Sequence, residues 1–278
     1  MRLRRIAARG TAVAVGACLM VLLGQAAPAM ADTSTAQAQA VTLTLLGGTA
    51  GTALSTASNN GEQETQISGA APGLGVLGQQ PLISAGVLVQ KAVAYADGIS
   101  TSCAGLAGNG GVISVGVDGS CTVAGGGGVV IDLAGLATIK ADAIIASCRA
   151  MAGQEPVART TLANASVLLL GLPLLNLSLA TAPDTGIDIP GIATLLIDAR
   201  SAPAGPGSVR ATALKVALLG SVLAADIGVA TCGQNAVIQP VPAVPVHSIP
   251  VVGAALGAAL WLGRHRLRDL ASALRPTR

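Results

Sequence analysis

Short runs of alternating hydrophobic and polar residues recur along most of the chain. In AVTLTLLG (residues 40–47), valine and leucine alternate with threonine. Similar runs continue to AADIGVATCG (residues 224–233). Segments rich in Pro, Gly and Asp, such as SAPAGPG (residues 201–207), separate the runs. A period of two is typical of half-buried strands, so the pattern predicts an all-β, mainly antiparallel, sandwich-like domain.

Two segments need separate predictions. GGVISVGVDGSCTVAGGGG (residues 110–128) predicts two short strands that turn at Asp118-Gly119. In the preceding segment, around VLVQKAVA, the valines alternate but alanine, which is depleted in strands, is frequent. A helix over residues 81–96 therefore stays an alternative to a strand.

The N-terminal residues 1–31 have the composition of a signal peptide. Four arginines precede the apolar run TAVAVGACLMVLLG, and Ala29-Met30-Ala31 forms a small-x-small cleavage pattern. A lipoprotein cleaved before Cys18 is a weaker alternative because the apolar LMVLLG continues beyond that cysteine. The predicted signal helix directs residues 32–238, the exported β-rich domain, out of the cytoplasm.

A second hydrophobic segment lies near the C-terminus. Residues 239–248 form a Pro-rich stalk. The apolar segment that follows, residues 249–263 (up to 241–263), is uncharged, and a helix needs about 20 residues to span a bilayer. The basic tail, residues 264–278, is the flank expected on the cytoplasmic side. We expect a transmembrane helix that anchors the protein at the cell surface with its C-terminus inside; an apolar helix packed on the domain is the alternative.

The basic charge of the chain belongs to these two ends. The formal net charge is +3, but residues 32–263 contain seven basic and 12 acidic residues, a net charge of −5. The positive charge therefore indicates membrane topology and not a nucleic-acid partner.

Four cysteines remain once the signal peptide is removed: Cys103, Cys121, Cys148 and Cys232. An even number in an exported protein predicts two disulfides, with three possible connectivities. Cys103–Cys121 as a local link and Cys148–Cys232 as a long closure is the favoured pairing, with Cys103–Cys148 as an alternative.

Composition excludes several kinds of active site. The predicted domain contains no histidine, so it offers no Ser-His-Asp arrangement and no His-ligated metal, and no cofactor is expected. One Tyr and no Phe cannot build an aromatic stacking platform, and a core of Ala, Val, Leu and Ile must be thin. GLGVLG (residues 73–78) matches a dinucleotide-binding pattern but lacks the strand before it and the helix after it.

Carboxylates are the remaining candidates for chemistry. A pair could act as in glycosidases, and Asp184 and Asp188, predicted to share one loop, are weak cation candidates. The aspartates considered for these roles are Asp97, Asp118, Asp132, Asp142, Asp184, Asp188, Asp198 and Asp226.

Three octamers share the pattern Ala-Asp, five residues, Cys: ADGISTSC, ADAIIASC and ADIGVATC. In a regular strand, residues six apart face the same side. Each aspartate (Asp97, Asp142, Asp226) is therefore predicted to share a face with its cysteine and to lie at a strand start or rim. A site made by the three aspartates together is the alternative.

GIATLLIDARSAPAGPGSVRATALKVALLG, followed by AADIGVATCGQN, resembles the exported actinobacterial choice-of-anchor P family. VLVQKAVAYADGISTSCAGLAGNGGVISVG also resembles the middle of such proteins. The resemblance covers about residues 85–235, and the chain departs from the family by lacking a clear LPxTG signal. It implies a cell-surface domain with an exchangeable C-terminal anchor and transfers no catalytic residue.

The sequence thus favours an exported, membrane-anchored protein with a structural or adhesive, non-enzymatic role. Its expected partners are the membrane, through the C-terminal helix, and other envelope or surface proteins. An envelope hydrolase that uses paired carboxylates and a carrier of small apolar ligands are the alternatives.

Overall fold

A computed structural model of the chain describes residues 32–45, 48–61, 65–70, 74–77, 80–108, 112–124, 128–179, 182–219 and 223–237. They all belong to one compact unit that ends at Ile238. The predicted signal peptide, the Pro-rich stalk, the transmembrane helix and the basic tail lie outside the described residues. Within the described ranges, no helix is both long and apolar enough to cross a membrane.

The described residues are mostly antiparallel β-structure, which confirms the all-β prediction, and residues 83–94 form strands and not a helix. Two short 3-10 turns, Leu74–Leu77 and Leu177–Leu179, interrupt the strands. The strands are β1 Ser34–Leu45, β2 Gly48–Gly51, β3 Ser55–Asn59, β4 Gln66–Ala70, β5 Ile83–Ala85, β6 Val87–Ala94, β7 Ile99–Ala107, β8 Val112–Val115, β9 Cys121–Ala124, β10 Val129–Leu133, β11 Ala137–Ala141, β12 Ala143–Met151, β13 Val157–Ala163, β14 Ser166–Leu169, β15 Leu172–Asn176, β16 Thr185–Ile189, β17 Ala193–Ser201, β18 Val209–Leu218 and β19 Ala224–Cys232.

Three sheets and one hairpin are formed by these strands. The first sheet has the order β16-β17-β18-β19-β1-β2, with β3 also paired to β1. The second has the order β13-β12-β7-β6-β4, the third β15-β14-β11-β10-β5, and β8 pairs only with β9.

The second and third sheets are two halves of one bent sheet. Only Gly86 separates β5 from β6, and only Asp142 separates β11 from β12. Across the bend, the Gly108 amide donates to the Asp142 carbonyl at 3.0 Å, and the Asp142 amide donates to the Ala163 carbonyl at 2.9 Å. Strands β7 and β10 also take corresponding positions in the two halves, and the chain between them forms the β8–β9 hairpin. The fold is therefore a sandwich of the first sheet and this bent sheet.

The β8–β9 hairpin covers the outer face of the bent sheet, and its turn lies at Asp118-Gly119 as predicted. Cys121 on β9 is bonded to Cys103 on β7. The Arg149 side chain on β12 donates from Nε to the Val117 carbonyl at 3.0 Å. As a result every residue of β7 is buried, with the first sheet on one face and the hairpin on the other.

The two layers approach closely where their inner residues are small. Cα atoms of β7 lie within 8 Å of Cα atoms in β1 and β19, compared with the roughly 10 Å usual for stacked sheets. One buried cluster consists only of alanines: Ala36, Ala38, Ala57, Ala92, Ala94 and Ala104. The thin core expected from the composition is present in this part of the domain, while Leu, Ile and Val dominate the larger cluster.

A crease crosses the first sheet at the row Ala40, Gly228, Ala213 and Asp198. In β1 the buried residues are at even positions up to Ala40 and at odd positions from Val41 onwards. The set of side chains that faces the core therefore shifts by one residue, which is called here a change of inward phase. The same change occurs in β18 and β19. Gly228 and Asp198 take φ values of 66° and 52° there, so both lie in the left-handed region that most residues avoid.

Gln90 joins the two layers inside the core. Its side chain is 2% exposed, and its Oε1 accepts from the Ala40 amide on the opposite sheet at 3.0 Å. Its Nε2 donates to the Ala53 carbonyl and to Ser55 Oγ. Because both the oxygen and the nitrogen of the side-chain amide are hydrogen-bonded, no buried polar group of Gln90 is left unpaired, and the residue links the two layers at the crease.

Both described chain termini lie at one end of the sandwich, here called the proximal end. Asp32 pairs with Asp97 and Thr33 pairs with Ala236. Asn235 joins them, since its Nδ2 donates to the Gly98 and Ala150 carbonyls at 2.9 Å each and its Oδ1 accepts from the Thr35 amide at 3.1 Å. The opposite end, where the strands of both layers reverse direction, is called the distal end.

Gly228→Ala is expected to unfold the crease. A Cβ at this position would lie 2.8 Å from the Ala104 carbonyl oxygen and would hold an alanine at positive φ. We expect a loss of about 2–5 kcal/mol in the free energy of unfolding, measured by denaturant titration. Gly186→Ala is the matched control because its Cβ would meet nothing within 4 Å. Equal stability of the two variants would contradict the close approach of the layers.

The turn of the β8–β9 hairpin is expected to respond to acid. Hydrogen bonds from the Ser120 hydroxyl and then the Ser120 amide hold the pKa of Asp118 below its ordinary value. Because the folded-state pKa is depressed, the stabilisation is complete above the ordinary pKa and is lost as pH falls through the lowered one. NMR titration of the Ser120 amide should show this low midpoint, and Asp118→Asn should abolish it. A midpoint equal to that of an unstructured peptide would contradict it.

Candidate functional site

The three octamers do not assemble a site. Asp97 and Asp142 are exposed at opposite ends of β7, roughly 30 Å apart along the strand. Asp226 lies on the other sheet, where its carboxylate is 3.8 Å from Lys215 Nζ. The predicted shared face was wrong for Asp226 and Cys232, because the crease at Gly228 changes the inward phase between them. Asp97 and Asp142 lie just outside their strands, as predicted for strand-start residues.

Each aspartate instead has a local structural role. Asp97 accepts from the Ile99 amide at 3.2 Å, which caps the start of β7. Asp142 accepts from Asn164 Nδ2 and so bridges two strands at the bend of the sheet. These hydrogen bonds explain, without invoking a ligand, why an acidic residue precedes β7 and β12, whereas Asp226 lies inside β19.

The cysteines form the two favoured pairs. Cys103–Cys121 links the hairpin to β7, and Cys148–Cys232 links the bent sheet to the first sheet near the proximal end. Ser102 lies between the layers at the second bond, with its Oγ 3.0 Å from Cys148 Sγ. Such bonds are compatible with an oxidising compartment outside the cytoplasm.

Asp184 and Asp188 do not share a loop as predicted, because Asp188 lies inside β16 opposite Thr194. The Asp184 carboxylate accepts from the Arg200 amide at 3.1 Å. In the described part of the chain, no group of three or more His, Cys, Asp or Glu side chains could hold a metal ion. The GLGVLG segment forms a 3-10 turn at Leu74–Leu77, and its outer glycines lie outside the described residues.

The buried carboxylate of Asp198 forms an ion pair with the more exposed Arg200, which no sequence pattern predicted. Arg200 Nη2 lies 2.7 Å from Asp198 Oδ2, and the Asp198 side chain is 7% exposed. Thr160 Oγ1 on β13 donates to Asp198 Oδ1 at 2.7 Å, so the pair joins the edges of the two layers. The carboxylate is fully engaged, which makes it a structural group and not a free acid or base.

A groove of about 860 Å³ lies at the proximal end beside this pair. Gln154, Glu155, Arg200, Gly207 and Asn235 are among its lining residues. A smaller groove of about 360 Å³ is lined by Arg200, Arg210, Lys215 and Asp226. Each contains a single carboxylate, whereas glycosidase chemistry needs two.

The distal end has the more unusual surface. Its turns come from both layers, and the hydrophobic cluster that includes Leu133, Ala137 and Leu218 continues beneath them, with Ile192 packed against it. All five turn segments lack a charged residue: LLGGTAG (residues 45–51), LAGLAT (133–138), LLLGLPLLN (168–176), IPGIAT (189–194) and LLGSVLA (218–224).

Leucines project from these turns into solvent. Their exposed fractions are 50% for Leu136, 77% for Leu170, 72% for Leu172, 51% for Leu174 and 48% for Leu219. All five residues of β15, an edge strand, are exposed. The Leu170 amide donates to the Leu136 carbonyl at 3.0 Å, so these two turns are neighbours. Exposed apolar surface of this kind marks interaction sites.

Leu170 also has an unfavourable backbone conformation. Leu170 and Gly171 form the two-residue turn between β14 and β15, with φ values of 50° and 85°. This turn type strongly favours Asn-Gly, and a left-handed residue other than Gly or Asn is strained by about 1–2 kcal/mol. The most exposed leucine therefore occupies a position that would be more stable with another residue.

Comparisons with protein-family models, with curated proteins and with solved structures find no match to the chain. The leucine surface, here defined as Leu136, Leu170, Leu172, Leu174 and Leu219, is the candidate functional site.

Arg200→Ala is expected to destabilise the domain by about 2 kcal/mol, because it leaves the Asp198 carboxylate buried without its partner. Lys215→Ala removes the partner of Asp226 in a more exposed pair with a longer separation, so it should cost less than about 1 kcal/mol. Thermal unfolding followed by circular dichroism compares the two. A larger effect of Lys215→Ala would contradict the structural role assigned to Arg200.

Proposed function

We propose that this chain is an exported, cell-surface protein with a structural or adhesive role, which acts through a contact surface and not through catalysis. Its C-terminal apolar segment, residues 249–263, would hold it in the cytoplasmic membrane. The leucine surface at the distal end would make the contact.

The arrangement of the two ends of the domain carries this proposal. Asp32 and Val237, the first and last described residues, are both proximal. Residues 137–151 run almost the whole length of the bent sheet, so the distal turns lie up to about 50 Å away. The leucine surface therefore lies at the opposite end of the domain from Val237, where the chain continues into the stalk.

The described polar features fit a scaffold better than an enzyme. The proximal hydrogen bonds of Asn235 and the Asp198–Arg200 pair connect strands that are far apart in the sequence. Two disulfides add covalent links in a domain that has no large aromatic core residues. Both features suit a small domain that must remain folded outside the cell.

The resemblance to the choice-of-anchor P family is consistent with this role. The residues that carry it include the closing segment AADIGVATCGQN, in which Cys232 and Asn235 make long-range structural contacts. These positions would preserve the scaffold while the distal turns vary with the partner.

Cell fractionation tests the anchoring. The full-length protein and a version that ends at Gln239 are expressed in an actinobacterial host with their signal peptides. We expect the full-length protein in the membrane fraction and the shorter one in the medium or the soluble envelope fraction, each beginning at Asp32. If both versions fractionate alike, the anchor assigned to residues 249–263 is wrong.

A further inference from the structure

We propose that the leucine surface inserts into a lipid surface, with its leucines among the acyl chains and the turns at the level of the headgroups. This inference rests on the proposed function in one respect, namely that the distal end is the contact surface. It adds the chemical class of the partner: an uncharged or zwitterionic lipid layer, as opposed to a folded protein.

The charge of the distal end fits a lipid of this class. Its five turn segments contain no basic residue that could attract an anionic headgroup. Charged residues of both signs lie next to these segments in the sequence: Asp132 and Asp188 are acidic, and Lys140 and Lys215 are basic. Asp132 already accepts from the Gly135 amide. Binding to this end would therefore depend on apolar insertion and change little with salt.

The composition differs from that of a protein-binding surface. Protein interfaces are enriched in aromatic residues, Met and Arg, and leucine is under-represented among their hot spots. The distal turns contain none of the enriched types and rely on aliphatic side chains alone. A medium of acyl chains matches aliphatic side chains without requiring a complementary shape.

The shape of the β14–β15 hairpin leads to the same conclusion. Successive side chains of a strand point to opposite faces, and all residues from Leu172 to Asn176 are exposed. Leucines therefore project on both sides of this edge hairpin and from its tip. A flat protein surface would cover one side, whereas a lipid layer surrounds a hairpin that enters it.

The strain at Leu170 is the independent observation. A leucine that is 77% exposed at φ 50° contributes no core packing and weakens its own turn. Residues held in unfavourable backbone conformations are concentrated at functional sites. Insertion into lipid accounts for a leucine at a position where asparagine would make the more stable turn.

This conflict between stability and binding gives a sharp test. Residues 32–238, which contain both disulfides and both hydrophobic clusters, are prepared in oxidised form, so that the predicted anchor cannot bind vesicles. Flotation with phosphatidylcholine vesicles measures binding at low and high salt. We expect the domain to float with the vesicles at both salt concentrations.

Leu170→Asn is the decisive variant. It should raise Tm by about 2–4 °C by relieving the turn and lower the vesicle partition coefficient about tenfold by removing one inserted leucine. Ala134→Asn is the control, because Ala134-Gly135 in the neighbouring turn also has two consecutive left-handed residues, with φ values of 58° and 71°. It should also raise Tm but leave vesicle binding unchanged. Ile67→Ser, which removes an apolar side chain 63% exposed on another strand, should likewise leave binding unchanged.

Three results would overturn the proposal. The first is a wild-type domain that does not float, and the second is equal loss of binding in Leu170→Asn and Ile67→Ser. The third is a dimer, detected by light scattering, that Leu170→Asn dissociates while vesicles do not bind, since a second copy would then be the occupant. Because this domain lacks residues 239–278, the outcome is separate from that of the fractionation experiment.

Discussion

The close approach of the two layers is the constraint on which the rest of the structure depends. Without Phe, and with Tyr95 as the only aromatic residue of the described part, the layers meet through alanine. Small side chains can fill the space between sheets only if the backbones come closer than usual. At Gly228 there is no room even for a methyl group beside the Ala104 carbonyl. The crease then lets longer side chains such as Leu43 and Leu214 face inward beyond that point.

A thin core of this kind needs additional connections between the layers. Gln90 supplies a buried hydrogen-bonded link, Asp198 supplies one at the edge, and Cys148–Cys232 supplies a covalent one near the proximal end. The Cys103–Cys121 bond has a different effect, because it keeps the β8–β9 hairpin over the outer face of β7. Strand β7 is thereby buried on both sides although it belongs to a two-layer sandwich.

The sequence allowed the strands and the hairpin turn to be predicted, because alternation and turn chemistry are local. The cysteine pairs could be predicted because four cysteines allow only three connectivities. Prediction from the sequence failed where a single residue changes the phase of a strand. Gly228 looks like any other glycine in ADIGVATC, yet it separates the faces of Asp226 and Cys232. The links made by Asn235 and Asp198 were missed for a related reason, since their partners are remote in sequence. The leucine surface could have been found, because each of its turns is visibly uncharged.

In an antiparallel sandwich, the turns at the two ends of the domain can be compared directly. The chain reverses direction after each strand, so most consecutive turns alternate between the proximal and distal ends. The proximal segments carry Asp32, Asp97, Glu155 and Asn235, and the distal segments carry only aliphatic, small or uncharged polar residues. The turn at Leu170 retains a strained leucine at a cost in stability, and the proposed contact of the distal end with another surface would account for that cost.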